Sequence, residues 1–146
     1  MTKLNTIALI PAYNEEATIA DVIHHTKPFV DKILVINDGS TDATKQVSIQ
    51  AGAEIVDNIV NRGLGQTMKR GYEEALRQGA DIIVQLDADG QYLAKEISLL
   101  TQPILDNEAD LVLGSRLENI QYKMPVFNKF GNKAFSSILR MLTGAD

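Results

Sequence analysis

The sequence predicts an α/β fold with an open, mostly parallel central sheet and helices on both faces, and three observations carry that expectation. Short apolar runs of strand length alternate with helical patterns along most of the chain. One run, residues 81–86, is almost continuously apolar, as a strand covered on both faces should be. Strands alternating with helices at this spacing require right-handed crossovers between parallel neighbours.

Taken in order, residues 7–10 form an apolar strand closed by Pro11. A helical pattern opens after Asn14, a good N-cap residue type, with Glu15 and Glu16 in its first turn. Residues 32–36 make a β-branched second strand that ends in Asn37-Asp38-Gly39-Ser40, and Asp42 opens a helix to about residue 50. A short third strand at 53–56 precedes a helix over 65–78 that stops at Gly79. The strand at 81–86 is expected at the centre of the sheet. A helix over 94–107 follows, split or kinked by Pro103, which lacks the N–H a helix interior needs. A fifth strand at 111–113 leads into Gly114-Ser115-Arg116. No repeat, low-complexity tract or linker divides the chain, so residues 1–146 read as one domain.

Composition excludes several classes. With 146 residues and 45% hydrophobic content, one core can form without disulfide or structural metal. Cysteine is absent, so there is no disulfide, thiolate metal site or cysteine nucleophile. The net charge is -5 and the basic residues are scattered, which argues against nucleic-acid binding. No apolar run reaches the ~18 residues of a spanning helix, and the first residues lack a signal layout. The expectation is a soluble chain in a reducing, cytoplasmic setting.

In open α/β sheets, ligands bind beyond the carboxyl ends of the strands. Polar residues collect there: Tyr13, Asn14 and Glu15 after the first strand, Asp38 after the second, Asp57 and Asn58 after the third, Asp87 and Asp89 after the fourth, Ser115 and Arg116 after the fifth. Asp87-Ala88-Asp89 presents two carboxylates that repel unless a cation joins them. Mg²⁺ typically takes one or two carboxylates plus substrate phosphates, and Gln91 could add a neutral oxygen. A solvated acidic turn is the competing reading. Asp38 could accept a nucleobase N–H, while Asp42 reads as a helix cap. Pro11 rigidifies the approach and Tyr13 offers an aromatic face, although both also suit a plain loop. Arg116 could pair with a diphosphate or with a neighbouring carboxylate.

Other signals are weaker. Asn61-Arg62-Gly63-Leu64-Gly65 lacks both the third glycine of a dinucleotide fingerprint and the Gly-Lys-Ser/Thr of a Walker loop; Lys69 or Arg70 could approach a phosphate. His24 and His25 are helix neighbours that cannot share one face. No Gly-x-Ser-x-Gly elbow supports a nucleophilic triad. Residues 124–142 carry an aromatic and aliphatic stripe among basic residues, suited to packing on protein or to contact with a membrane surface.

PAYNE at 11–15, NDGSTD at 37–42, NRGLGQTMKRG at 61–71, DADGQ at 87–91 and GSR at 114–116 occur in order. On these five motifs the chain resembles family 2 glycosyltransferases, especially the dolichol-phosphate mannose synthase and polyprenyl-phosphate glycosyltransferase branch. The resemblance implies a Rossmann-like A-type glycosyltransferase fold and a nucleoside diphosphate sugar donor. It places Pro11, Tyr13 and Glu15 on the nucleotide, Ile36 and Asp38 around its base, and Asp87, Ala88 and Asp89 along the diphosphate and sugar. Asp89 and Gln91, with Asp87 beside them, would hold Mg²⁺ or Mn²⁺, and Arg116 would face the phosphates. Asp89 and Arg116 are the expected catalytic residues. Asn37 stands where the family usually has Asp, and Leu64-Gly65-Gln66 departs from its usual Lys-Gly-Ala style. The chain ends at Thr143-Gly144-Ala145-Asp146, where the family continues, so a domain incomplete at its C-terminus is expected.

The expected reaction is inverting, metal-dependent sugar transfer to an acceptor such as polyprenyl phosphate, at the cytoplasmic face of a membrane. A donor-binding module without turnover and a sugar nucleotidyltransferase are the rivals. The latter would normally carry a glycine-rich basic loop where residues 11–16 stand.

Overall fold

A computed structural model describes residues 3–114. The chain divides into two compact units, Met1–Val112 and Leu113–Asp146, and the second lies almost wholly outside the described residues. The expected roles of Arg116 and of residues 124–142 fall there too.

The first unit contains four parallel strands, β1 (Thr6–Ala12), β2 (Lys32–Asp38), β3 (Glu54–Asn58) and β4 (Ile82–Gln85), in the order β3-β2-β1-β4. Three α-helices join them, α1 (Ile19–Thr26), α2 (Thr44–Ala51) and α3 (Leu64–Arg77), and α4 (Ile97–Leu105) follows β4. Short 3₁₀ turns occupy Lys27–Phe29 and Ala94–Glu96.

The two-residue period of β1 divides its side chains between two cores. Ala8, Ile10 and Ala12 point to the face that also buries Ile19 and Ile23 of α1, Ile33 and Val35 of β2, and Ile97 of α4. Ile7 and Leu9 point to the other, with Leu34 and Ile36 of β2 and Met68 and Ala75 of α3. Fully burying each such Ile or Leu is worth roughly 1.5–3 kcal/mol, so β1 and β2 form the spine of the sheet. Gly71 permits the close approach of α3: a Cβ there would lie 2.6 Å from Leu9 Cδ1 and 3.0 Å from Ile36 Cγ1.

Several expectations are corrected. The most apolar strand, β4, is not central but terminal among the described strands, because α3 crosses the opposite face and delivers it to the free side of β1. Its outer exposure shows in Gln85. Residues 111–113 form no strand, and Leu111 and Leu113 are exposed; an apolar run becomes a strand only when a neighbour takes its backbone hydrogen bonds. The first helix begins at Ile19 rather than after Asn14, whose φ of 57° is left-handed and cannot start a helix. A turn intervenes, with the Glu15 carbonyl accepting from the Thr18 and Ile19 amides. Residues 94–107 divide into a 3₁₀ turn and α4, which retains Pro103 within it.

Candidate functional site

The strand order reverses at β1: β2 and β3 lie on one side, and β4 on the other. Such a reversal opens a crevice at the carboxyl ends of the two diverging strands, the usual ligand site of an open α/β sheet. A cleft of about 430 Å³ lies there. Pro11, Ala12, Tyr13 and Glu15 line it from the end of β1, Asp38 from β2, and Asp87, Ala88 and Asp89 from the segment after β4. Asn61, Gly63, Leu64 and Thr67 close it from the start of α3.

The loops after β1 and β2 are fastened to each other. The Asn14 amide donates to Ser40 Oγ at 3.0 Å, and Asn14 Oδ1 accepts from the Thr41 amide at 2.8 Å. The Glu15 amide donates to Thr44 Oγ1 at 2.8 Å, the Glu16 amide to Asp42 Oδ2 at 3.2 Å, and Glu16 Oε2 accepts from the Ala43 amide at 2.7 Å. Much of the polar content of PAYNE and NDGSTD therefore joins loop to loop. The polar side chains of these loops that reach the cleft are Asp38, Tyr13, nearly half exposed, and Glu15, whose Oε2 accepts from the Thr18 hydroxyl at 2.9 Å. Asp42 is not the helix cap expected of it: Ala43 holds that position without a side-chain bond, and Asp42 Oδ1 instead closes a turn just before it, accepting from the Thr44 amide at 2.9 Å, two residues on.

Asp38 is the buried charge of the site, only 5% exposed. Its Oδ1 accepts from Asn58 Nδ2 at 2.8 Å and the Arg62 amide at 2.9 Å, and its Oδ2 from the Gly63 amide at 3.0 Å. Burial pushes its carboxyl up. The Arg62 amide, the Asn58 side chain, the Thr67 hydroxyl and the Gly63 amide outweigh that and hold it below the ordinary carboxylate value. Gly39 lets the loop come this close, since a Cβ on it would lie 2.5 Å from both the Asn61 nitrogen and the Val60 carbonyl carbon.

Asp87 is half-buried, Ala88 buried and Asp89 exposed. Asp89 Oδ1 accepts from the Gln91 amide at 2.9 Å, a two-residue turn that orients the carboxylate. The described residues hold no cluster of three or more metal-ligating side chains. Two carboxylates on one cleft wall nonetheless fit a hard divalent cation whose remaining ligands are water and the phosphates of a bound nucleotide. Gln91 sits on the exposed turn beyond Asp89, outside the cleft lining.

Of the other anticipated residues, Ile36 is fully buried beneath α3 and brings no side-chain surface to the cleft. Asp57 does not line it either: Oδ2 pairs with Lys45 at 2.6 Å and Oδ1 accepts from Asn37 Nδ2 at 2.6 Å. The Lys45 and Asn37 bonds hold the Asp57 carboxyl below its ordinary value. Lys69 lies 3.9 Å from Glu73 on the exposed side of α3, while Arg70 Nη1 donates to the Asp57 carbonyl and to Asn58 Oδ1. Neither lines the cleft. Sequence reasoning places Asn58 at the end of the third strand without giving it a role and does not single out Thr67; both are buried polar residues. The available signal was a polar side chain at each of two core positions, because such a residue must find partners. A larger cleft, about 750 Å³, runs between α1 and the segment after β4, with His24 and His25 on its wall and Asp87 shared between the two.

An open parallel sheet with an acidic crevice at its switch point is the architecture of nucleotide-binding α/β proteins. The model of the family "Glycosyl transferase family 2" matches residues 7–133, and the chain belongs to that family. The chain is 33% identical to the UDP-N-acetylglucosamine–dolichyl-phosphate N-acetylglucosaminyltransferase of Methanococcus voltae, over 93% of this chain and 62% of that one. It is 35% identical to the polyprenol monophosphomannose synthase of Mycolicibacterium smegmatis, over 76% and 44%. The glucosyl-3-phosphoglycerate synthase of Mycobacterium tuberculosis, solved with Mn²⁺, UDP-glucose and phosphoglyceric acid, superposes with a TM-score of 0.61 at 29% identity, covering 72% of this chain and 40% of that one. These likenesses support the A-type glycosyltransferase fold. The chain spans about 60% of the first of its curated relatives and about 40% of the solved structures.

Proposed function

We propose that this chain forms the donor side of an inverting, metal-dependent glycosyltransferase that moves a sugar from a nucleoside diphosphate sugar to a polyprenyl phosphate. The observation that carries the reading is the convergence of Tyr13, Glu15, Asp38 and residues 87–89 on one cleft at the switch point. The donor class and the metal draw support from the solved relative that holds Mn²⁺ and UDP-glucose. The acceptor class draws support from the two relatives named for dolichyl phosphate and polyprenol.

In this reading the Tyr13 ring gives the nucleobase a flat apolar face. Asp38 stays ionised and accepts a base N–H at the Oδ2 position that the Gly63 amide leaves over. Glu15 takes a ribose hydroxyl on Oε1, its Oε2 being held by Thr18. Pro11 and Ala88 shape the walls. Asp87 and Asp89 supply hard anionic oxygens beside the diphosphate, with Arg116 facing the same phosphates and Gln91 supporting Asp89. A divalent cation held there supplies Lewis-acid stabilisation of the charge that grows on the departing diphosphate.

An acceptor phosphate oxygen attacks the anomeric carbon from the face opposite the diphosphate. The bond from that carbon to the diphosphate oxygen breaks, and the nucleoside diphosphate leaves. A phosphate monoester with a second pKa near ~6 is largely ionised at neutral pH, so attack needs no general base. The test is calorimetric titration of UDP and GDP with and without Mn²⁺. The parent chain should bind one of them in a metal-dependent way, and Asp89→Ala should lose that dependence. Equal affinity with and without metal in the parent chain rejects the assignment.

A further inference from the structure

Asn58 is the last residue of β3, pairs in register with Asp38, and is 2% exposed. It lies beneath the cleft and does not line it. Every hydrogen-bonding atom of its side chain is engaged: Nδ2 donates to Asp38 Oδ1 at 2.8 Å and to Thr67 Oγ1 at 3.3 Å, and Oδ1 accepts from Arg70 Nη1.

The orientation of that amide is over-determined. A guanidinium has no acceptor, so the atom facing Arg70 must be oxygen. An ionised carboxylate has no donor, so the atom facing Asp38 must be nitrogen. A rotation of the amide by half a turn would set N–H against guanidinium and oxygen against carboxylate, two unfavourable contacts in a buried place.

Both groups that Asn58 holds face the cleft, Asp38 from β2 and Thr67 from α3. Asp38 in turn takes the Arg62 and Gly63 amides, which ties the loop at 61–63 to the end of β2. Arg70, on the exposed side of α3, thus bears on the cleft wall through Asn58 and then Asp38.

We propose that Asn58 is a positioning residue for the donor cleft: its amide fixes the Asp38 carboxylate and the Thr67 hydroxyl, and through Asp38 the loop at 61–63, without touching the donor. Its consequence for nucleotide affinity rests on the donor reading above. Its consequence for the loop does not.

Two variants test it: Asn58→Leu, which keeps the branching of the side chain without its polar atoms, and Arg70→Met, which removes the guanidinium from an exposed helix position and leaves Asn58 in place. Amide exchange at Arg62 and Gly63 should quicken in Asn58→Leu on the order of 10-fold, the scale of one hydrogen bond to a charged group. Affinity for UDP or GDP with Mn²⁺ should weaken by a similar factor at unchanged binding stoichiometry, since stoichiometry counts folded sites. Arg70→Met should move both quantities the same way by a smaller factor, and it decides the matter should Asn58→Leu not fold. Unchanged exchange at Arg62 and Gly63 in the folded variants overturns the proposal. So does reduced thermal stability at unchanged affinity, which would mark Asn58 as merely structural. If the parent chain binds neither nucleotide, the donor reading fails, and the exchange measurement still decides the role of Asn58.

Discussion

Gly39→Ala places a methyl group where the backbone of the next loop already stands. Gly39 has φ +69°, and its added Cβ would lie 2.5 Å from the Asn61 nitrogen and the Val60 carbonyl carbon and 2.9 Å from Val60 Cα. Left-handed backbone costs a non-glycine residue roughly 1–2 kcal/mol. The clash adds about 1–3 kcal/mol, because the neighbours are backbone atoms and not the free end of a side chain. Ordinary carbon contacts need about 3.5 Å, so the loop must retreat by about 1 Å. The amide bonds from Arg62 and Gly63 to Asp38, now 2.9 and 3.0 Å, would then stretch beyond hydrogen-bonding reach. The expected loss is therefore about 2–5 kcal/mol of stability, together with weaker nucleotide binding. Denaturant unfolding with calorimetric nucleotide titration reads both. Gly79→Ala is the control: at the end of α3 its φ of +74° carries the left-handed penalty, but nothing lies within 4 Å of the added Cβ. It should cost about 1–2 kcal/mol. A Gly39→Ala variant no less stable than Gly79→Ala would refute the close-approach reasoning.

Gly71→Ala should cost about 1–3 kcal/mol, since its Cβ meets Leu9 and Ile36 with no backbone penalty; equilibrium unfolding measures this. Asn14→Gly keeps the left-handed turn but loses the acceptor for the Thr41 amide, a loss of about 1 kcal/mol, and Asn14→Ala should be worse by the left-handed penalty. Lys45→Ala removes an ion pair exposed on both sides and should change stability by no more than about 1 kcal/mol, despite the 2.6 Å contact with Asp57. For pH, the Asp38 carboxyl is depressed on folding, so its contribution is present above the unfolded value of about 3.9 and is lost as pH falls through the lower folded value. The amide proton shifts of Arg62 and Gly63 should hold steady from pH 7 to pH 5 and move only below about pH 4; movement near pH 6 would show that another group controls the loop.

Particular residues show where the sequence was legible. Ile7, Leu9, Leu34 and Ile36 announced β1 and β2 because a buried strand leaves an uninterrupted apolar run, and Gly79 marked the end of α3. That Tyr13, Glu15, Asp38 and residues 87–89 would line one cleft was legible because strand ends in an open sheet face one crevice. Asn14 was misread: as a residue type it suits a helix cap, but its position fastens a neighbouring loop 27 residues away in sequence. The strand at 81–86 was placed centrally on hydrophobicity, a property that reports burial and not order within the sheet.

By itself the sequence determined the alternation of strands and helices, the parallel sheet, and the acidic residues at the strand ends. These follow from periodicity and residue type over short windows. Only the tertiary structure decided that β1 is the switch point, that Asp57 and Arg70 turn away from the cleft, that Gly39 and Gly71 are close contacts, and that Asn58 stands behind Asp38. Each of these depends on which atoms meet across strands and loops far apart in the chain, and contact of that kind is fixed by packing and hydrogen-bond satisfaction in three dimensions.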